Sequence, residues 1–238
     1  MDLQLKGKKA IVTGGSAGIG LAIAGMLTEE GVEVTIPGRN IKKLNEAIAM
    51  LSGKVHGIET DLGTAEGASK LIAQVPETDI LVNNLGIYES KIFPEITDED
   101  WLHYFEVNLL GGIRLARHYF PGMLKRNSGR VIFVSSEAAA EVHPDIIHYG
   151  VTKTGQVVVA RGLAEMTKGS RVRCCGIGCR HCSVARFAWR YVATWDRAQQ
   201  LHCAFPYDHG SKLWEASCHG SPSHRKYQRR ILRVILIA

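Results

Sequence analysis

Early in the chain a short apolar run, Lys9–Thr13 (K-A-I-V-T), leads straight into Gly14-Gly15-Ser16-Ala17-Gly18-Ile19-Gly20. Leu21, Ile23, Ala24 and Leu27 then recur at helical spacing, ending before Gly31. The order reads strand, glycine turn, helix. Few folds begin in this way, and the alternation goes on repeating. Val32–Ile36 reads as a second strand, and Asn40 as the cap of a helix whose apolar face is Ile41, Leu44, Ile48 and Leu51. Val55–Thr60, Ile80–Asn83 and Arg130–Ser135 read as further strands, with a helix over Thr64–Val75. Thr97 with Asp100 opens a long helix through about Lys125, and Tyr149–Met166 forms another. Strands alternating with helices of this length call for parallel strands joined by right-handed crossovers. The expected fold is α/β, a doubly wound parallel sheet with helices on both faces.

The composition suits such a sheet. Of 238 residues, 45% are hydrophobic and 22% charged, with 7 prolines, so a sizeable core forms and the bulk is not disordered. The length holds one domain, or one large domain with an appendage. Apolar runs such as Val157–Ala160 and Val234–Ala238 fall far short of the roughly 20 residues that cross a bilayer. The first residues, Met1–Lys9, carry charges ahead of any apolar stretch, unlike a secretory signal, and a cytoplasmic location is expected.

A turn that closes a strand and opens a helix aims backbone N–H groups and the positive helix end at whatever sits above it, which suits a pyrophosphate. In that geometry Gly14 permits the tight turn, Gly18 lets phosphate oxygens approach, and Gly20 allows close helix–strand packing. Glycines often do no more than make turns, but the strand before and the helix after meet the test for a dinucleotide site. The next strand should end with the residue that reads the adenosine ribose. That stretch is Pro37-Gly38-Arg39-Asn40, with no acid in reach. A guanidinium beside a 2′-phosphate makes charge-assisted hydrogen bonds worth about 1.5–3 kcal/mol each, so Arg39 points to NADP rather than NAD. Ala17 offers no second basic residue inside the turn.

Taken together, Thr13-Gly14-x-x-x-Gly18-x-Gly20, Asn83-Asn84-Leu85-Gly86, Asn108, Ser136 and Tyr149-x-x-x-Lys153 resemble the short-chain dehydrogenase/reductase family. The likeness spans roughly residues 4–173 and includes the thirteen-residue spacing from Ser136 to Tyr149. Leu85 departs from it, standing where the family usually has Ala, and is expected to crowd the cofactor site. The resemblance implies a Rossmann-type, NAD(P)-dependent oxidoreductase that acts on a small-molecule alcohol or carbonyl. It carries over Asn108, Ser136, Tyr149 and Lys153 as catalytic residues. Cofactor contacts are implied for Thr13, Gly14, Ser16, Gly18, Ile19, Gly20, Arg39, Asp61, Leu62, Asn84 and Gly86, with Tyr149 and Lys153 at the nicotinamide end. Asp61-Leu62 would lie at the adenine, and Asn108 would hold a water that relays protons to Lys153. A homodimer or homotetramer is implied, built on the long helix from Thr97 and the helix from Tyr149.

The chemistry of those residues agrees with the roles. Reducing a carbonyl with a hydride leaves a developing alkoxide, which needs a proton and a hydrogen-bond donor. Tyr149 would supply the proton. A phenol ordinarily titrates near pH 10, and an ammonium one helical turn away favours its ionised form, the role open to Lys153. Ser136 would donate to the substrate oxygen. Ser135 is its neighbour, but strand alternation sends the two serines to opposite sides.

Beyond Arg173 the pattern changes. Residues 170–238 hold 12 Lys/Arg against 3 Asp/Glu, all six cysteines and three of the four tryptophans, whereas residues 1–169 hold 17 against 20. The chain is therefore expected to divide into a nucleotide-binding and catalytic part, 1–173, and an atypical basic segment, 174–238. The Asn-Ala-x-x-Pro-Gly stretch of the family is replaced by Cys174-Cys175-Gly176-Ile177-Gly178-Cys179-Arg180-His181-Cys182, a break of the kind a translational frame change produces. With no export signal, reduced thiols are expected. Cys179-x-x-Cys182 with His181, His202, Cys203, Cys218 and His219 fits no zinc module, so no metal site is expected. The basic run His224–Arg230 reads as a solvated tail rather than a nucleic-acid surface, and Ile231–Ala238 as a packing strand or a sticky end.

Overall fold

The chain was analysed as a computed structural model, which describes residues 3–180 and 188–192, with side chains from 3 to 176. Strand β1 (Lys9–Val12), helix α1 (Gly18–Glu29), β2 (Glu33–Gly38), α2 (Ile41–Met50) and β3 (Val55–Glu59) follow in turn. Next come α3 (Ala65–Gln74), β4 (Ile80–Asn83), α4 (Asp98–Tyr104), α5 (Gly111–Lys125) and β5 (Gly129–Val134). Helix α6 (Ile147–Met166), β6 (Val172–Arg180) and β7 (Ala188–Val192) complete the described elements. The sheet order is β3-β2-β1-β4-β5-β6-β7. The first six strands are parallel, and β7 pairs antiparallel with β6. The chain thus winds outward from β1 to β3, then returns to the far side of β1 as β4. Where strand order reverses, a crevice opens at the carboxyl ends of β1 and β4.

Successive residues of a strand face opposite sides of a sheet, and both sides here are apolar. Val12, Val34, Ile36, Val82, Ile132 and Val134 pack with Ile23, Ala24 and Leu27 of α1 and Leu44 and Ala47 of α2. Ile11, Leu81, Val131 and Phe133 pack on the other face with Leu71 of α3, Leu115, Tyr119 and Met123 of α5, and Ala160 of α6. This is the doubly wound sheet that the sequence implies.

Local signals explain the starts of α2, α3 and α4. Asn40 accepts from the Lys43 N–H at 3.0 Å, and Thr64 from the Gly67 N–H at 3.0 Å. Thr97 and Asp100 form a reciprocal capping box at the start of α4. Besides shifts of one or two residues at β3, β5 and α6, two departures from the sequence expectation stand out. Strand β2 runs through Pro37 to Gly38, because its pairing with β1 ends at Thr35 and the missing proline N–H costs that ladder nothing. The expected single helix from Thr97 to Lys125 is interrupted by a π-helical turn, Phe105–Leu110, in which the Gly111 N–H reaches back to the Glu106 carbonyl. Asn108 lies in that turn, and its side chain is drawn inward by partners on two other segments. Strand β6 pairs with β5 from Val172 to Ile177, so the sheet continues across the composition break at residue 173. Cys174 and Cys175 there are buried and free, and desolvation pushes both thiols up to about 12, which keeps them protonated. His181, Cys182, His202, Cys203, Cys218, His219, the basic run and Ile231–Ala238 lie outside the described residues, as does the Cys179 side chain.

Phe133 is fully buried at the centre of the sheet. Phe133→Ala should cost about 3–5 kcal/mol and lower the thermal midpoint by roughly 6–20 °C. Met50→Ala, on the exposed side of α2, should stay within about 0.5 kcal/mol. Thermal unfolding of both variants checks this.

Candidate active site

The crevice is built first of backbone. Gly14 and Gly18 adopt φ of +63° and +54°, the left-handed region that glycine enters without strain. Together they turn the chain from β1 into α1. A Cβ at Gly18 would meet nothing within 4 Å, so the space above the helix start is open. Gly20 lies on the packed side, where a Cβ would come within 2.3 Å of the Gly14 carbonyl and 2.6 Å of the Asn84 amide nitrogen. Ala17 at the N-cap makes no side-chain hydrogen bond to the helix. The first-turn N–H groups of α1 therefore have no side-chain cap from that position and lie at the open space, a cradle that suits a diphosphate. Ser16 and Ile19 flank it half-buried, Ile19 resting on the first core cluster.

Thr13 plays a different part. Its hydroxyl donates to the Val82 carbonyl at 3.3 Å and accepts from the Asn84 and Leu85 N–H groups, each at 2.8 Å. Asn84 in turn donates through Nδ2 to the Thr13 carbonyl at 3.1 Å. The side chains of Thr13 and Asn84 thus hold the two strand ends together. Leu85 packs against the Ile11–Phe133 core cluster, which takes up part of the bulk expected to crowd the crevice. Leu62 is similarly spent on the core at 3% exposure, while Asp61 stays exposed and accepts from the Gly63 N–H at 2.9 Å. Arg39 is exposed immediately after β2, on the same carboxyl edge of the sheet.

The remaining candidates converge around α6. Lys153 is 4% exposed, its Nζ donating to the Val134 carbonyl at 2.9 Å and lying 5.5 Å from the centre of the Tyr149 ring. A Cβ at Gly86 would sit 3.4 Å from that Nζ and 3.5 Å from Asn108 Oδ1, so the loop after β4 reaches both residues. Asn108 Oδ1 accepts from the Ile87 N–H at 2.7 Å, and its Nδ2 donates to the Ile87 carbonyl and to the Thr152 hydroxyl, each at 3.1 Å. The side chain is therefore fully engaged within the protein. Ser135 is buried and donates to the Lys153 carbonyl at 2.8 Å. Ser136 is half-buried and accepts from the Ala138 N–H at 3.2 Å, which leaves its own proton to be donated. That turn abuts the Tyr149 helix, since the Ala138 carbonyl lies 3.0 Å from where a Gly150 Cβ would stand.

A family profile described as short chain dehydrogenase matches residues 8–188. The chain belongs to the short-chain dehydrogenase/reductase family. As a short-chain dehydrogenase/reductase it is an NAD(P)-dependent oxidoreductase. It is 45% identical over 177 residues to "Uncharacterized oxidoreductase YvaG" of Bacillus subtilis (strain 168), covering 72% of this chain and 67% of that protein. Identity to the 3-oxoacyl-[acyl-carrier-protein] reductase FabG of Aquifex aeolicus (strain VF5) is 34%, over 69% of this chain and 70% of that one. Among solved structures, L-sorbose reductase from Gluconobacter frateurii, complexed with NADPH and L-sorbose, superposes with a TM-score of 0.71 at 32% identity, over 75% of this chain and 71% of that one. Among the described residues no helix is long and apolar enough to cross a membrane.

Sequence reading named candidate residues around this crevice of the short-chain dehydrogenase/reductase but not what braces them. Tyr88 meets the Tyr149 ring edge-on at 5.2 Å. His148 is 1% exposed against Tyr104 at 4.1 Å, and burial holds it below the usual histidine range. Lys91 pairs with Asp100, and Ser90 donates to Asp145 at 2.6 Å, so the loop after β4 is strapped to α4 and to the segment before α6. Lys91 holds the Asp100 carboxyl down to about 2. Because that value is depressed, what the pair contributes is present at neutral pH and is lost only as pH falls through it. Gln156, 1% exposed beside Lys153, was also missed. Nothing in the sequence sets it apart, since the buried face of α6 also carries His148, Thr152 and Lys153.

Asn108→Leu keeps the branched shape but leaves the Ile87 N–H and carbonyl without their partner. It should destabilise the fold by about 1–3 kcal/mol, read from denaturant unfolding.

Proposed function

We propose that the chain interconverts an alcohol and a carbonyl with NADP(H), Tyr149 acting as general acid/base. The observation that carries this reading is the buried Lys153 ammonium lying 5.5 Å from the Tyr149 ring centre, beside the loop that follows β4. When bound, the dinucleotide supplies or accepts a hydride. The open cradle over α1, Gly86 beside Lys153, and the exposed Arg39 support binding of the phosphorylated form. Gly14, Ser16, Gly18, Ile19 and Gly20 would line the diphosphate. Thr13 and Asn84 would act through the backbone they fix, Asp61 and Leu62 would lie at the adenine, and Gly86, Tyr149 and Lys153 at the nicotinamide end. The L-sorbose reductase neighbour, complexed with NADPH, supports the same choice of cofactor.

In the reducing direction Tyr149 gives its phenolic proton to the substrate oxygen as negative charge builds there. Ser136 donates a second hydrogen bond to that oxygen and holds it within reach. Lys153 favours the ionised phenol through its positive charge, so the same tyrosine can take the proton back in oxidation. Asn108 fixes the loop at Ile87 against α6 and so sets the wall on which substrate rests. These four residues belong to the proposed catalytic part, 1–173, and residues 174–238 form the proposed atypical segment. A homodimer or homotetramer in the cytoplasm is proposed with it. Leu102 of α4 and Val151 and Val158 of α6, all exposed and apolar, support an assembly through these helices.

A second reading is favoured by one observation: the family match stops at residue 188, and 50 residues follow it. A chain whose substrate-enclosing part is altered would bind the nucleotide and turn over little. NADPH fluorescence titration together with a panel of ketones, aldehydes and ketoses separates the two, since binding without oxidation of NADPH anywhere in the panel sinks the enzyme reading.

Tyr149→Phe should lower kcat/KM about 10²- to 10⁴-fold while NADPH affinity stays within about twofold. Arg39→Asp should weaken NADPH binding by tenfold or more, about 1.4 kcal/mol, and improve NADH relative to it. Titrations with both nucleotides check that prediction.

A further inference from the structure

Gln156 follows Lys153 by three positions on α6, so the two side chains share one face of the helix. The glutamine is 1% exposed, and its amide makes a bond in each direction. Nε2 donates to the Asn108 carbonyl, and Oε1 accepts from Lys153 Nζ at 3.3 Å. The partners fix the orientation of the amide. Turned over, it would set an NH₂ against an ammonium and an oxygen against a carbonyl, with both bonds lost. The carbonyl it engages belongs to the π-helical turn between α4 and α5, so a single side chain joins that turn to the lysine.

We propose that Gln156 is a positioning residue of the reaction, tying the Lys153 ammonium to the Asn108 carbonyl and holding it toward the Tyr149 ring. The inference rests on the Tyr149–Lys153 reading given above. Lys153 is nearly without solvent, and an ammonium in such a place stays charged only where acceptors replace water. Val134 supplies one acceptor from the backbone of β5, and Gln156 supplies another from the helix itself. A flexible four-carbon stem held at two points keeps its charge in one direction, and here that direction includes the phenol. An amide passes protons poorly compared with a hydroxyl, so the contribution of Gln156 is placement and retention of charge rather than proton transfer.

The test needs no substrate. The ultraviolet phenolate band that Tyr149→Phe removes from the full-length protein reports the ionisation of Tyr149 directly. In the unmutated protein that difference titration should fall below the ordinary phenol value of about 10. Gln156→Met keeps length and volume but makes neither bond. It should move the titration upward by about half to one pH unit, because a less firmly held ammonium favours phenolate less. A titration left in place in folded Gln156→Met overturns the proposal. Gln156→Glu gives a second reading should the methionine variant fail to fold. Ionised, its carboxylate faces the Asn108 carbonyl and offsets the ammonium, and it too should raise the titration, whereas an unmoved value again overturns the inference. If the unmutated protein shows no depressed Tyr149 titration, the Tyr149–Lys153 reading falls and Gln156 with it. If the depression is present and neither variant shifts it, only the role of Gln156 falls.

Discussion

One hydroxyl closes the reversal point of the sheet. Thr13 stands where β1 ends, and its oxygen donates to β4 and accepts from the two backbone N–H groups that follow β4. Parallel strands leave such groups unpaired once the ladder stops, and the hydroxyl of Thr13, itself 2% exposed, meets the need. The glycine turn and the loop after β4 leave from this junction, and Gly20 packs against both at once. Loss of that closure would separate the cradle over α1 from the loop that reaches Lys153. The crevice therefore owes its shape to a few bonds from the Thr13 hydroxyl to backbone groups, with the Asn84 amide repeating the tie from the other side.

A second polar cluster does for the Tyr149 end of the crevice what Thr13 does for the end at the glycine turn. Asn108, Thr152, Ser135, Gln156 and Lys153 are all buried, and each has a partner within the cluster or on the adjoining backbone. Burying so many polar groups is tolerable because they satisfy one another, and such mutual satisfaction fixes a single arrangement. The network crosses three segments: the π-helical turn, the end of β5 and α6. Tyr149 and Ser136 stand at its edge, half-buried, where a small molecule can reach them. A charged interior behind a reachable phenol and hydroxyl supports the proposed acid–base chemistry on a carbonyl oxygen.

Much of this was legible beforehand, for identifiable reasons. The strands are short apolar runs between glycines and polar caps, and Asn40, Thr64 and Thr97 cap the helices they were expected to begin. Ser136, Tyr149 and Lys153 were singled out as candidates because, together with the glycine turn, Asn84 and Asn108, they form a joint pattern that resembles a known family, whereas the spacing of any one pair is common in plain packing. The end of β2 was misjudged because proline reads as a stop unless one knows that its neighbouring strand has already ended. The π-helical turn was invisible because its residues carry an ordinary helical pattern, and only partners on Ile87 and α6 account for the inward turn of Asn108. Gln156 was passed over because one polar residue in a helix has no meaning until its two partners are known.

The amino-acid order alone determined the alternation of strand and helix, the glycine turn at the first crossover and the identity of the polar residues near the sheet's carboxyl edge. These follow from period, cap and turn chemistry, which act over a few neighbouring residues. Tertiary structure decided which of those residues stay open to the crevice and which hold the frame: Thr13 and Leu62 turn into the protein, Ser135 serves the backbone of Lys153, and Ser136 is left half-buried with a proton to give. That division depends on contacts between segments dozens of positions apart, and no local pattern encodes the distance across which a hydroxyl or an amide finds its partner.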